Sequence, residues 1–386
     1  MTSFRFVQIR NFIVKCLAKY DCNLEHAGQL ADTLICADYR GHYSHGISRL
    51  YVYVEDIATK SCAASGKPKI LKRKGATAWV DGQNLLGPVV GNYCMQLAVD
   101  IAKDVGIGWV VVKNSNHFGT CGWYVQRAIN NGMLGMVFTN TSPCVFPTRS
   151  AEKCIGSNPI CMAAPSEDGD SFFLDMAAST VAYGKVCLEV LYNNKDALDG
   201  KDKQKYGKIE LEDECGVEKI PETWGTDCNG EVTVDPKSVL SGGGLQPLGG
   251  CEETGGYKGT GLCMMVEILC GILGGAAFGR NIRQWRSTEE NADLGHCFIA
   301  IDPECFAPGF AHRLHQFLTE TRNSKRISDD KPVLVAGDRE RMHMTMCDEM
   351  GGIVYDKIQL QHLVRAFFFA SVFVQRIQQN STNLFC

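Results

Sequence analysis

Two short polar strings hold the side chains best suited to chemistry. The first, Lys113-Asn114-Ser115-Asn116-His117-Phe118-Gly119, follows the apolar stretch Gly108-Trp109-Val110-Val111-Val112. That stretch predicts a buried strand, so His117 falls on the loop just past a strand end, where a rigid scaffold commonly presents functional groups. An imidazole titrates near pKa ~6.5, which suits it to taking and returning a proton. The second string, Ser44-His45-Gly46-Ile47-Ser48-Arg49, adds a hydroxyl, another imidazole and a guanidinium. A guanidinium grips a carboxylate through two parallel hydrogen bonds, fixing orientation as well as charge. Together these groups point to acid–base work on a small anionic molecule. His42, His45 and His117 leave a second chemistry open, three nitrogen ligands to a catalytic metal in a hydrolase. No Asp or Glu stands at a matching ligand spacing, and a structural role suits His42 better.

The elements that must position these groups follow from periodicity. Residues 24–60 predict two helices separated by Arg40-Gly41-His42-Tyr43, with Ser44 as N-cap of the second. Ile47, Leu50, Tyr51, Val54 and Ile57 give that helix an apolar face. His45, Arg49 and Tyr53, spaced by four, form one row on the opposite face. Downstream the pattern alternates: helix 88–104, strand 108–113, helix 119–131, strand 134–140, strands 160–164 and 171–176, a long apolar helix over 256–279, and strand 296–301. Such alternation predicts an α/β fold. The polar stretch 193–255 is expected to be a long excursion from it, a lid or a subunit contact. The phenylalanine-rich segment 363–386 suggests packing on a helical lobe or a partner subunit, and no function follows from it.

Bulk composition narrows the classes. With 386 residues and 45% hydrophobic content the chain can bury a large core. A net charge of −4, with signs interspersed and no basic stripe, argues against nucleic acid and membrane surfaces as partners. Nineteen cysteines occur without any C-x-x-C pair, which favours reduced thiols in a cytoplasmic compartment over a disulfide framework or a zinc ribbon. No apolar run reaches the ~20 residues of a spanning helix. The basic start, Met1 to Tyr20, has the look of a transit peptide, but Phe6, Ile9, Phe12, Ile13, Cys16 and Leu17 follow helical spacing and favour a first helix of the fold. A dinucleotide fingerprint is missing: Gly106-Ile107-Gly108 precedes a strand instead of following one, and Gly255 to Gly261 lacks the spacing. Gly337-Asp338-Arg339-Glu340-Arg341 offers backbone N–H groups and two guanidiniums to phosphate, or surface ion pairs.

Eight segments in order resemble the type-2 malate/L-lactate dehydrogenase family, which includes sulfolactate and ureidoglycolate dehydrogenases and a cyclic-imine reductase branch. They are Ala37-Asp38-Tyr39-Arg40-Gly41 with Ser44-His45-Gly46 and Arg49; Ser115 to Gly119; Asn140-Thr141-Ser142-Pro143; Gly156-Ser157-Asn158-Pro159; Asp175-Met176-Ala177; Pro247-Leu248-Gly249-Gly250; Tyr257-Lys258-Gly259; and Gly337-Asp338-Arg339. The resemblance implies a non-Rossmann NAD(P)-binding mixed sheet flanked by helices, with a helical lobe of residues 1–75 joined by about 305–386, and a catalytic lobe of 76–304. It implies a homodimer and hydride exchange between NAD or NADP and a (2S)-2-hydroxy acid. His117 would accept the hydroxyl proton, Ser44 and His45 would orient or share that transfer, Arg49 would hold the carboxylate, and Ser157, with Tyr53 on the same row, would complete the substrate site. Phe118, Gly119, Thr141, Asp175, Met176, Ala177, Pro247, Leu248, Lys258, Gly337, Asp338, Arg339 and Arg341 would line the cofactor. The insertion 250–256 and the long stretch 193–225 depart from the family pattern. The imine-reductase branch carries an Asp where Lys185 stands, which favours a hydroxy acid. A metal-dependent hydrolase and a catalytically silent scaffold are the rival expectations.

Overall fold

The computed structural model describes residues 2–186, 219–285, 287–355 and 360. A short strand, β1 (Thr2–Phe4), leads into helices α1 (Phe6–Ala18) and α2 (Leu24–Tyr39). α1 buries Ile9, Ile13 and Leu17, one face of the periodicity in the sequence. α2 starts at Asn23, whose side chain accepts from the N–H groups of Glu25 and His26. The next helix begins later than expected. A 3-10 turn at Ile47–Arg49 precedes α3 (Leu50–Ala58), so Ser44 is not its N-cap. Asp38 is the reason. Its buried carboxylate accepts from Ile47 N–H at 2.9 Å and from the Tyr355 hydroxyl at 2.7 Å, holding the turn from below. Gly46 permits this approach, because a Cβ there would overlap the carboxylate. His45, Arg49 and Tyr53 therefore do not form one helical row: His45 precedes the turn, Arg49 ends it, and Tyr53 is buried within α3.

The remaining strands are β2 (Lys69–Lys74), β3 (Thr77–Asp81), β4 (Ile107–Ser115), β5 (Leu134–Thr139), β6 (Ile160–Pro165), β7 (Ser171–Met176), the short β8 (Gly225–Thr226), β9 (Val232–Thr233) and β10 (Gly244–Leu245), then β11 (Leu294–Ile301) and β12 (Ile353–Tyr355). Seven of them form the main sheet, in the order β2-β3-β4-β11-β5-β6-β7. β3 and β4 pair parallel and every other neighbour pairs antiparallel, so the sheet is mixed. A doubly wound dinucleotide fold would need a mostly parallel sheet, and the missing glycine fingerprint agrees with this topology. β11 is buried along nearly its whole length because both sheet faces are covered. Helices α4 (Gly87–Val105) and α5 (Gly122–Ile129) cover one face, and the helix Gly256–Glu267 with its π-turn continuation Ile268–Ile272 covers the other. That last helix stops short of the predicted Gly279, turning at Gly275, whose φ is +68°. α4 lies so close to β4 that a Cβ on Gly108 would strike the Ala98 carbonyl.

Within the predicted excursion, residues 219–255 carry the small sheet β10-β8-β9, and 193–218 lie outside the described residues, as does 363–386. β12 pairs antiparallel with β1, so the chain's opening strand is tied to its far end. No helix among the described residues is long and apolar enough to cross a membrane.

Candidate active site

His117 lies on the loop just past Ser115, the last residue of β4, and Tyr53 reaches it from α3. The Tyr53 hydroxyl lies 2.6 Å from His117 Nδ1. This bond, with the Gly119 N–H that reaches the same nitrogen at 3.4 Å, fixes the ring through Nδ1 and leaves Nε2 to meet a ligand. His45 stacks on the same ring with centroids 6.1 Å apart, and its own Nδ1 lies 2.9 Å from Ser44 Oγ. Arg49 donates through Nε to the Ser44 carbonyl at 2.6 Å, which ties the guanidinium to the loop holding the imidazole pair. No carboxylate among the described residues pairs with Arg49. A turn braced by Asp38, not a helix face, gathers these side chains.

Burial decides the protonation states. His117 is pushed well below the ordinary value of 6.5, first by desolvation and then by the neighbouring His45, Arg49 and His296. His45 falls to about 3, through desolvation and the charges of Arg49 and His42. Both imidazoles are therefore neutral at pH 7, and His117 is available as a base.

Ten residues expected at the site line a single cleft beside this group: Ser44, His45, His117, Phe118, Gly119, Thr141, Ser157, Asp175, Met176 and Ala177. A buried carboxylate organises its far wall. Glu267 accepts from Asn140 Nδ2 at 3.1 Å and from Asn158 Nδ2 at 2.9 Å, and Asn158 Oδ1 in turn takes the Thr141 N–H at 3.0 Å. Asp175 receives the Gly122 N–H at 2.6 Å, anchoring the start of α5. Desolvation raises its pKa against the pull of His42 and Arg40. Thr120 Oγ1, in the same wall, is buried with no partner. Apolar surface from Phe118, Met176 and Ala177 beside an unused hydroxyl and polar turns suits a flat, partly polar cofactor such as nicotinamide.

Other expected residues lie apart. Leu248 N–H bonds the Ala178 carbonyl at 2.9 Å, which sets Pro247 and Leu248 against the strand end carrying Asp175 to Ala177. Lys258 is exposed on its helix, with Nζ 5.8 Å from the Tyr257 ring centroid. Gly337, with φ +99°, packs against Phe173 and caps the helix Asp338–Glu349. Asp338 and Arg341 pair with each other at 2.7 Å and join Arg322 and Asp170, while Arg339 points outward. This segment meets the cleft through Glu340, 3.6 Å from His42 Nε2. With His42 engaged there, and no cluster of three or more metal-binding side chains among the described residues, the geometry does not favour the tri-histidine hydrolase.

Two residues near His117 were not singled out from the sequence. Trp285 packs edge-on to the His117 ring with centroids 4.4 Å apart, and Arg49 Cζ lies 5.7 Å from its ring centroid. His296, on β11, bridges Ser115 Oγ at 2.8 Å and Thr139 Oγ1 at 2.7 Å and stacks on Phe118. A lone tryptophan in a polar loop and a histidine inside an apolar strand give no periodic signal.

Asp38 offers a test of the support beneath the site. Desolvation lifts its carboxyl from 3.8 to about 7, against the lowering effect of the Ile47 N–H and the Tyr355 hydroxyl. Between those values the folded chain keeps a proton that the unfolded chain has released. The contribution to stability is therefore full below 3.8 and lost as pH rises through 7. Asp38→Asn keeps an acceptor but cannot titrate. Melting temperatures measured from pH 4 to pH 7.5 are expected to show the wild type losing ground steadily to this variant, and a constant difference would contradict the assignment.

The comparisons with known proteins agree with this fold. The family model described as malate/L-lactate dehydrogenase matches residues 4–195 and 203–364. A malate dehydrogenase of Pyrococcus abyssi is 37% identical over 354 residues, covering 91% of this chain and 90% of that protein. A malate/(S)-sulfolactate dehydrogenase of Methanothermus fervidus is 36% identical over 356 residues, covering 92% and 94%. Among solved structures, malate dehydrogenase from Entamoeba histolytica superposes with a TM-score of 0.83 at 28% identity, covering 96% of this chain and 98% of that one. The chain, with its mixed sheet, thus belongs to the malate/L-lactate dehydrogenase family.

Proposed function

We propose that the chain is an NAD(P)-dependent dehydrogenase that interconverts a malate-like 2-hydroxy acid and its 2-oxo acid at the His117 cleft. The observation that carries this reading is a neutral, buried His117 beside an Arg49 guanidinium that no carboxylate among the described residues neutralises. One group is poised to take a hydroxyl proton, and the other to hold the carboxylate beside it. When bound, the nicotinamide supplies the hydride chemistry. Phe118, Gly119, Thr141 and Asp175 to Ala177 would cradle it, with Pro247-Leu248, Lys258 and the Gly337–Arg341 segment along its outer course.

The remaining steps belong to the chain's own side chains. Arg49 fixes the carboxylate, which sets the hydroxyl against His117, and such positioning removes several kcal/mol of entropic cost from the barrier. In the tautomer that donates from Nδ1 to the Tyr53 oxygen, with the Gly119 N–H resting on that oxygen instead of on Nδ1, Nε2 offers its lone pair to the hydroxyl proton. The Ser44–His45 pair, stacked beside His117, and Ser157 in the same cleft orient the oxygen functions. Turnover of NADH and NADPH with oxaloacetate, pyruvate, sulfopyruvate and 2-oxoglutarate tests the reading. Saturable oxidation with one acid supports it; bound cofactor without turnover of any 2-oxo acid overturns it.

A homodimer is part of the same proposal. Tyr257, Met264, Ile268 and Ile272 form an outward stripe, each more than half exposed, on the helix that covers the sheet. An apolar stripe of this kind, beside the Lys258 that the cofactor reading requires, suits an isologous contact with a second copy. Ile268→Asp is expected to convert a dimer into a monomer in sedimentation velocity, and an unchanged dimer would place the contact elsewhere. The cysteine pattern favours a cytoplasmic setting.

A further inference from the structure

We infer that Trp285 is a specificity-determining residue, the wall that limits the side chain a substrate carries at C2. The inference rests on the 2-hydroxy-acid reading above. C2 of such a substrate bears four substituents. Arg49 takes the carboxylate, His117 faces the hydroxyl, and the hydrogen points to the hydride acceptor. Only the side chain is left to meet anything else. The indole faces both anchoring groups, edge-on to the His117 ring with centroids 4.4 Å apart and with Arg49 Cζ over its ring at 5.7 Å from the centroid. A side chain growing from a C2 held between those anchors therefore runs against it.

The loop that carries Trp285 is built as a wall and not as a lid. Two residues earlier, Arg283 donates from Nη2 to both carboxylate oxygens of Asp56, at 2.8 and 2.9 Å. Both side chains of this ion pair are under a tenth exposed. Such a buried pair holds one geometry, because separating it strands a desolvated charge. Ser142 Oγ donates to the Arg283 carbonyl at 2.7 Å. Beneath the loop, Ile282, Ala292 and Leu294 form a small core of their own. At its far end Asp293 accepts from Asn114 N–H at 2.7 Å and Ala277 N–H at 3.0 Å. Asp56 belongs to α3, the same helix that carries Tyr53, so the wall and the group orienting His117 share one support.

A rigid indole at this place favours short, unbranched side chains and rejects branched ones by steric overlap. An apolar pocket discriminates by ~10–200-fold per methylene-sized difference. The test measures kcat/KM for pyruvate, oxaloacetate and 4-methyl-2-oxopentanoate with the wild type, Trp285→Ala and Trp285→Phe. The expected result is a rise of about tenfold or more in the ratio of the branched acid to oxaloacetate in Trp285→Ala, with Trp285→Phe between. An equal loss for all three acids in both variants would make Trp285 only a brace for His117 and Arg49, and would overturn the inference. An equal gain for all three would make it a plug over the site, which overturns it too. A wild type that turns over no 2-oxo acid removes the functional reading and this inference together.

Discussion

Replacing His117 with asparagine is expected to lower kcat for 2-hydroxy-acid oxidation by ~10²–10⁴, the usual worth of a positioned general base, while the dissociation constant for the cofactor changes little. Asparagine preserves a polar contact to Tyr53 but has no basic nitrogen. Ser44 and His45 compete for the same role, since His45 stacks beside His117 and shares a 2.9 Å hydrogen bond with Ser44. The two assignments separate cleanly. If His117 carries the proton, His117→Asn costs far more in kcat than His45→Asn, whose loss falls chiefly on orientation. If His45 carries it, the order reverses.

The pH profile gives an independent check with a definite sign. Desolvation and three charged or chargeable neighbours hold His117 well below 6.5 in the free protein. A base with a depressed pKa stays unprotonated as pH falls, so kcat/KM for oxidation, which reports the free enzyme, should remain flat as pH drops through 6.5. A half-maximal point near 6.5 would mean a solvent-exposed base and would remove His117 from the role. In the reverse direction the same depression leaves little imidazolium to donate, and reduction is expected to quicken as pH is lowered.

The elements that carry this chemistry were readable in the sequence to unequal degrees. The apolar run before His117 announced a buried strand, and β4 spans Ile107–Ser115 as a central member of the sheet. β7 falls on the predicted 171–176. The main-sheet strands that escaped notice, β2 and β3, form a hairpin whose first member, Lys69–Lys74, is exposed along its whole length, so no inward face marked it. Within the site, Ser44, His45, Arg49 and His117 stood out because each sits in a compact polar string. What arranges them did not stand out. Asp38 acts across the chain on Ile47 and Tyr355, and Glu267 is a lone acid inside an apolar helix that braces turns more than a hundred residues away. Tertiary hydrogen bonds of this kind leave no spacing in the sequence. The mistaken helical row through His45, Arg49 and Tyr53 has the same origin, because Asp38 replaced the cap that local propensity assigned to Ser44.

Arg49→Lys is expected to lower kcat/KM for the 2-hydroxy acid by about 10- to 100-fold, with most of the change in KM. Lysine keeps the positive charge and loses the fork, so the loss measures geometry more than attraction. One charge-assisted hydrogen bond is worth ~1.5–3 kcal/mol, which corresponds to that range. Arg49 also donates to the Ser44 carbonyl at 2.6 Å, so part of the effect could come from a displaced Ser44–His45 loop and not from the substrate. A substrate change distinguishes the two. Converting the carboxylate to its primary amide removes the partner that Arg49 is proposed to read. If Arg49 binds the carboxylate, the wild type prefers acid to amide strongly, and Arg49→Ala loses most of that preference while its amide rate falls little further. If Arg49 only braces the loop, acid and amide fall by the same factor and the preference survives. The double comparison reports the interaction itself, since the cost of disturbing the loop is common to both substrates and cancels.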